Sequence, residues 1–151
     1  MTYPPLDITA QWGRLNDGIV RLVDYIPDDK LNWSPRPELW NFRGILVHMA
    51  TARHNWMIRD VKDGEISPDV LRDARTKEDL KRHLQISWER LLRFLSDPNK
   101  LAGTYKGIHE PDTLTGHWIA FHGLEHDIHH RADIFHYLAL LDIEHPDVGT
   151  P

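Results

Sequence analysis

Histidines are concentrated near the C-terminal end of the sequence, where four of the eleven fall within nine positions, His122 to His130. If this stretch is helical, residues four apart lie almost one above the other. His122, His126 and His130 would then form a ladder on one face, with His129 turned away from it. Two imidazoles at this spacing can bind one metal ion from a single helix. The spacing predicts a metal site but does not choose between His122–His126 and His126–His130.

A third ligand would have to come from another helix. His48 is the natural candidate because it lies beside an apolar stripe that predicts an earlier helix, three residues after Ile45 and four before Ala52. Three neutral imidazoles and an open position suit Zn²⁺ or Ni²⁺ better than iron or manganese. Such a site acts as a Lewis acid or lowers the pKa of a bound water or thiol, as hydrolases and transferases require.

The remaining histidines are expected to be solvated or locally hydrogen-bonded; they are His54, His83, His109, His117, His136 and His145. Glu125, Asp127, Asp133 and Tyr137 lie close enough in sequence to orient the ladder or to move protons, and a purely structural role is equally compatible with their positions. No general base stands out among them.

Two other readings remain open. A di-iron carboxylate site would need Glu-x-x-His on two helices, and only Asp127-x-x-His130 approximates it. A metal-binding or ligand-binding helical protein without catalytic activity would use the same histidines. It would differ in having a closed coordination sphere or no cleft beside the site.

The elements that must position these residues are helices. Apolar stripes at three- and four-residue steps predict four of them, over about 8–26, 41–62, 76–97 and 113–141. Asp7 is expected to cap the first and Thr76 the third, in a capping box closed by Asp79.

The connecting segments carry turn residues and no strand-like alternation. Residues 66–75 are predicted to be a loop with one helical turn after Pro68, and residues 99–112 a loop over one end of the molecule. The pattern predicts an all-α, up-down four-helix bundle forming one domain over residues 1–151, with a long connector between helices 2 and 3.

Composition excludes several classes of function. Lys and Arg number 18 against 23 Asp and Glu, which disfavours a nucleic-acid-binding protein. There is no cysteine, so thiolate ligands and a cysteine nucleophile are excluded and any thiol must come from a cosubstrate. No signal-peptide pattern or membrane-length apolar run is present, and a cytoplasmic protein without membrane partners is expected.

The last predicted helix has large apolar residues on one side, among them Phe121, Ile128 and Phe135, and the histidine ladder on the other. A helix of this kind is usually covered on both flanks. One flank would face the other helices and the second a partner subunit, which predicts a homodimer.

The sequence resembles the DinB family, the DinB/YfiT-like predicted metalloenzymes. The resemblance is carried by Ile-Leu-Val-His-Met-Ala at residues 45–50 and His-Asp-Ile-His-His-Arg-Ala-Asp at residues 126–133, together with the order of the helices. It implies that His48, His126 and His130 hold the metal and that His122 lies near it without binding it. For some relatives it implies a transferase or isomerase that uses a low-molecular-weight thiol.

One departure from the family pattern affects the substrate more than the metal. Relatives commonly follow the second histidine of the pair with Arg-Gly-Gln, whereas this chain has Arg131-Ala132-Asp133. Asp133 places a negative charge where relatives have an amide. Analogy with the substrates of relatives is therefore weakened at this position.

Overall fold

Helices make up most of the computed structural model, which describes residues 7–64, 73–107 and 113–145. Within these ranges the α-helices are α1 (Ile8–Tyr25), α2 (Phe42–Asn55), α3 (Lys77–Leu95), α4 (Pro98–Ala102) and α5 (Gly116–Leu140). A single 3₁₀ turn, Asp28–Lys30, follows α1. The predicted helical character of the chain is confirmed. The turn expected after Pro68 lies outside the described residues, as does His109.

Side-chain caps fix where the long helices begin. The Asp7 carboxylate accepts a hydrogen bond from the amide of Ala10, and the Thr76 hydroxyl accepts one from the amide of Asp79, at 3.0 and 3.1 Å. Each satisfies an amide that has no partner within the helix. Both predicted caps are therefore confirmed.

The segment before α5 differs from the predicted loop. Residues 98–102 form α4, capped by the Asp97 carboxylate. Strands β1 (Thr104–Lys106) and β2 (Thr113–Thr115) then pair in an antiparallel ladder. The expectation of no strands was wrong because three-residue strands are too short to show an alternating pattern.

Gly116 allows α5 to begin directly against α4. A Cβ atom at this position would lie 2.2 Å from the carbonyl oxygen of Lys100 and 2.6 Å from that of Leu101. Only glycine permits such a close approach of two backbones. The last long helix therefore begins at residue 116, three residues later than the predicted start.

The end of α2 is wound more loosely than the pattern predicted. Trp56–Asp60 forms a π-helical segment, in which the amide of Val61 donates to the carbonyl of Trp56 at 3.1 Å. The chain then leaves the helix through Lys62 and Gly64, both at positive φ. The predicted stop near Asp63-Gly64 is correct, but the last turn before it is not α-helical.

The core lies between the four long helices. Its largest fully buried side chains include Trp12 of α1, Phe42 of α2 and Phe94 of α3. Trp12 is buried, whereas Trp56 is only half-buried and lines a cavity. Among the described residues, no helix is long and apolar enough to cross a membrane.

Gly123 tests how tightly α5 packs against α1. A Cβ atom there would lie 2.6 Å from the buried Trp12 ring, so Gly123→Ala forces the ring to move. Overpacking of this kind costs about 1–3 kcal/mol. We expect the free energy of unfolding measured in urea to fall by this amount.

Gly13→Ala is the matched control. A Cβ atom at Gly13 would meet the Trp88 ring at 3.5 Å, an ordinary contact, within the interior of α1. Helix propensity then favours alanine by up to about 1 kcal/mol. Equal stability changes in the two variants would contradict the packing described here.

Candidate metal centre

Three histidines from two helices converge in the structure. The Nε2 atoms of His48 and His126 lie 2.8 Å apart, and one ring nitrogen from each of His48, His126 and His130 fits within a 4.8 Å group. The three ring centroids are separated by 4.5 to 4.9 Å. A group of this size and composition suits a single metal ion.

The packing of α2 against α5 distinguishes between the two histidine pairs. His48 contacts His126 and His130, while Trp56, two turns later on α2, contacts Trp118 and His122. Since higher numbers on α2 meet lower numbers on α5, the two helices run antiparallel. This register places His122 two turns away from His48.

His122 lies outside the three-histidine group. Its ring stacks on Trp118 with centroids 4.8 Å apart and planes within 9° of parallel. His122 is therefore part of an aromatic wall beside the group. His129, the fourth histidine of the ladder region, is exposed.

Two carboxylates lie near the Nδ1 atoms of His126 and His130, the ring nitrogens that point away from the centre of the group. The Nδ1 atom of His130 lies 3.1 Å from Asp133, and the Nδ1 atom of His126 lies 3.7 Å from Asp127. Each contact leaves Nε2 as the nitrogen available inside the group. Carboxylates in this position fix the orientation of an imidazole and raise its basicity as a ligand.

Asp127 is held by a buried network that reaches all four long helices. Its carboxylate lies 2.9 Å from the Arg53 guanidinium and accepts a hydrogen bond from the Trp12 indole at 2.6 Å. The same guanidinium donates to Asn16 of α1 and to the carbonyl of Leu84 of α3. Burial alone would raise the pKa of Asp127, but Arg53 and the contact with His126 hold the pKa below its ordinary value.

Burial favours the neutral form of two imidazoles of the group, His48 and His130. The pKa of His48 is lowered to about 4, chiefly by burial and then by the neighbouring rings of His126 and His130. The pKa of His130 is also lowered, chiefly by burial. Neutral imidazole is the form that binds a metal, so at neutral pH no proton has to be removed first from His48 or His130.

An indole covers one side of the histidine group. The Trp40 ring lies 4.2 Å from His48 and 5.7 Å from His130, centroid to centroid. The backbone carbonyl of Trp40 accepts a hydrogen bond from the Tyr137 hydroxyl at 3.0 Å. Tyr137 thus fixes the segment before α2, and the Trp40 ring covers the group on this side.

A cavity of about 490 Å³ opens on the other side. His48 and His126 form one end of its lining, and Trp56, Trp118 and His122 lie further along. A small molecule in this cavity would reach the nitrogens of His48 and His126. The arrangement therefore combines an imidazole group with a cleft beside it.

Sequence reasoning missed Trp12, Arg53 and Trp40. Arg53 and Trp12 lie on the core faces of their helices, and an arginine at a core-facing position is a signal that a buried carboxylate partner exists. Trp40 lies in a proline-containing connector, where periodicity gives no information. Glu125 is exposed and contacts none of the three histidines in the described residues.

A family model for the DinB superfamily matches residues 11–134. The chain belongs to the DinB superfamily. Among solved structures it is similar to a DinB-like protein from Bacillus subtilis, YjoA, with 20% identity, a TM-score of 0.70 and coverage of 93% of both chains. At this identity the likeness concerns the fold alone. No protein of the curated collection matches the chain.

His54 allows a test of the buried polar layer away from the three histidines. Burial and the adjacent Arg90 guanidinium lower the pKa of His54 to about 4, against 6.5 for the unfolded chain. Its contribution to stability is therefore complete above pH 6.5 and is lost as the pH falls towards 4. We expect the melting temperature of His54→Gln to fall less than that of the wild type between pH 7 and pH 4.5.

The exposed His136, changed to Gln, is the control for that experiment. Its melting temperature should follow the wild-type pH dependence. If His54→Gln also follows the wild type, His54 does not contribute to the loss of stability in acid.

Proposed function

We propose that this DinB-superfamily protein is a metal-dependent enzyme in which His48, His126 and His130 bind one divalent ion, Zn²⁺ or Ni²⁺. The observation that carries the proposal is the convergence of three imidazole rings from α2 and α5 beside an open cleft. Nitrogen ligands without thiolates suit these two ions. The four long helices would form an up-down bundle around this site.

The bound ion would act as a Lewis acid and lower the pKa of a bound water or thiol towards about 7. The protein residues have separate tasks. Asp133 would hold the Nδ1 side of His130 through a hydrogen bond, and the Asp127 carboxylate lies 3.7 Å from Nδ1 of His126. Trp40 excludes water from one side, and the cleft admits reactants from the other.

A thiol is the proposed nucleophile, and the reaction is a group transfer or isomerisation. The support is the resemblance to thiol-dependent relatives and the absence of cysteine in the chain, which requires the thiol to arrive with a cosubstrate. The alternative is a metal- or ligand-binding protein without catalysis. The cleft beside the histidines favours an enzyme over that alternative, because a purely structural site needs no access.

Metal content tests the assignment of ligands. His126→Ala should lose the bound metal, because it removes the ligand at the centre of the group, while the protein stays helical by circular dichroism. His122→Ala is the matched control, since it removes a histidine one turn earlier on the same face of α5. Elemental analysis after purification without chelators should find about one Zn or Ni per chain in wild type and in His122→Ala.

Three results of that analysis would count against the site. Metal retained by His126→Ala would mean that other residues bind it. Metal lost from His122→Ala would favour the other histidine pair. A wild-type protein that neither contains nor takes up a divalent ion would leave the non-catalytic reading as the better one.

We also propose that the protein is a homodimer through the outer face of α5. Phe121 is 56% exposed, Ile128 44% and Leu140 64%, so the helix carries large apolar side chains in solvent. Exposed apolar patches of this kind are typical of interaction surfaces. A self-complementary contact between two copies would cover both patches at once.

Sedimentation velocity would test this proposal. Ile128→Glu should convert a dimer to a monomer, because it places a charge inside the proposed contact. Ile86→Glu is the control, since Ile86 is 42% exposed but lies on α3. A monomeric wild type, or equal effects of the two substitutions, would contradict a dimer through α5.

A further inference from the structure

The cleft beside the histidines is bounded by two facing rows of side chains. α2 and its π-helical continuation contribute Ala52, Asn55, Trp56 and Arg59, and α5 contributes Trp118 and His122. Trp56 lies eight residues after His48, and Trp118 lies eight residues before His126. At 1.5 Å per residue the two ends of the cleft are about 12 Å apart.

Aromatic rings form the wall at the end away from His48. Trp118 and His122 stack nearly parallel, and the Trp56 ring meets each of them edge-on, at 5.9 and 5.3 Å. Trp118 remains 41% exposed although it is a large apolar side chain. Rings left in this state offer a face and edges to a flat ligand, with which they can make stacked or T-shaped contacts.

Arg59 provides a positive charge beside this wall. It lines the cleft, is exposed, and has no ion pair or hydrogen bond within the described part of the chain. The neighbouring Asp60 also lines the cleft, but it is buried and has interactions of its own. An arginine in this setting can bind a carboxylate or phosphate with two parallel hydrogen bonds.

Ala52 keeps the middle of the cleft open. It lies midway between His48 and Trp56 on the same face of α2 and contributes only a methyl group. A larger side chain at this position would fill the passage between the aromatic wall and the histidines. The free space therefore connects the two ends.

We propose that the cleft binds a small organic acid with a planar, unsaturated body, its acid group at Arg59, its body against Trp56, Trp118 and His122, and its reacting group at His48 and His126. This names the substrate class for the proposed enzyme and depends on that function for the reacting end only.

Isothermal titration calorimetry with 2-naphthoate and its uncharged amide, 2-naphthamide, tests the proposal on metal-loaded and metal-free protein. The wild type should bind the acid at least about tenfold more tightly than the amide, as expected for a hydrogen bond to a charged group. Arg59→Gln should bind both equally. Arg93→Gln is the control for the loss of one charge, since Arg93 is exposed on α3 and should keep the preference.

Ala52→Leu provides a second, independent arm. It should abolish binding of both probes by filling the cleft, while metal content, measured in the same samples, stays at the wild-type level. Leucine is a good helix former at a half-buried position, so the variant should remain folded.

Several outcomes would overturn the proposal. Equal binding of the acid and the amide by the wild type would contradict it, as would a preference that persists in Arg59→Gln. A preference that disappears with the metal but not with Arg59 would place the acid group on the ion. If the wild type binds no metal yet the metal-free protein shows the Arg59-dependent preference, the proposed enzyme function fails while the ligand assignment stands.

Discussion

The buried ion pair between Arg53 and Asp127 is the interaction on which the rest of the structure depends. Both side chains are almost completely withdrawn from water, which is unfavourable unless hydrogen bonds replace hydration. Trp12 and Asn16 of α1 and the carbonyl of Leu84 of α3 supply those bonds. Removing one partner of such a pair typically costs about 3–5 kcal/mol. The network therefore fixes the rotation of α5 relative to the other three long helices, and with it the direction of the adjacent His126.

Much of the fold could be predicted from sequence because long helices repeat their apolar pattern over many residues. The caps at Asp7 and Thr76 were predictable since capping depends on neighbours three residues away. The short strands around residues 104–115 and the π-helical turn at Trp56–Asp60 were not, because each is defined by backbone hydrogen bonds that leave no periodic pattern. Helices and their caps, which depend on residues three or four positions apart, could therefore be predicted. The strands and the π-helical turn could not.

The candidate site could be predicted from the sequence only in part. Spacing identified the ladder and His48, but the choice between the two histidine pairs depends on how α2 and α5 are aligned. That alignment follows from contacts between residues about 80 positions apart, which a single sequence does not reveal. The roles of Arg53 and Trp40 could not be predicted for the same reason, because they too depend on contacts between residues far apart in the sequence. Asp133, where relatives commonly have an amide, contacts His130, so the departure from the family pattern has a structural use.

The π-helical turn after α2 separates the part of the helix that carries His48 and Arg53 from the residues that follow it. A π turn corresponds to one residue inserted into an α-helix. Loss of one residue there would rotate everything that follows by about 100° and carry Asp60 to a different face. His48 and Arg53 precede the turn and would keep their places. A single insertion or deletion at this point can therefore change the residues that meet a ligand at the far end of the cleft, and relatives of this protein can diverge in specificity without rebuilding the histidine group.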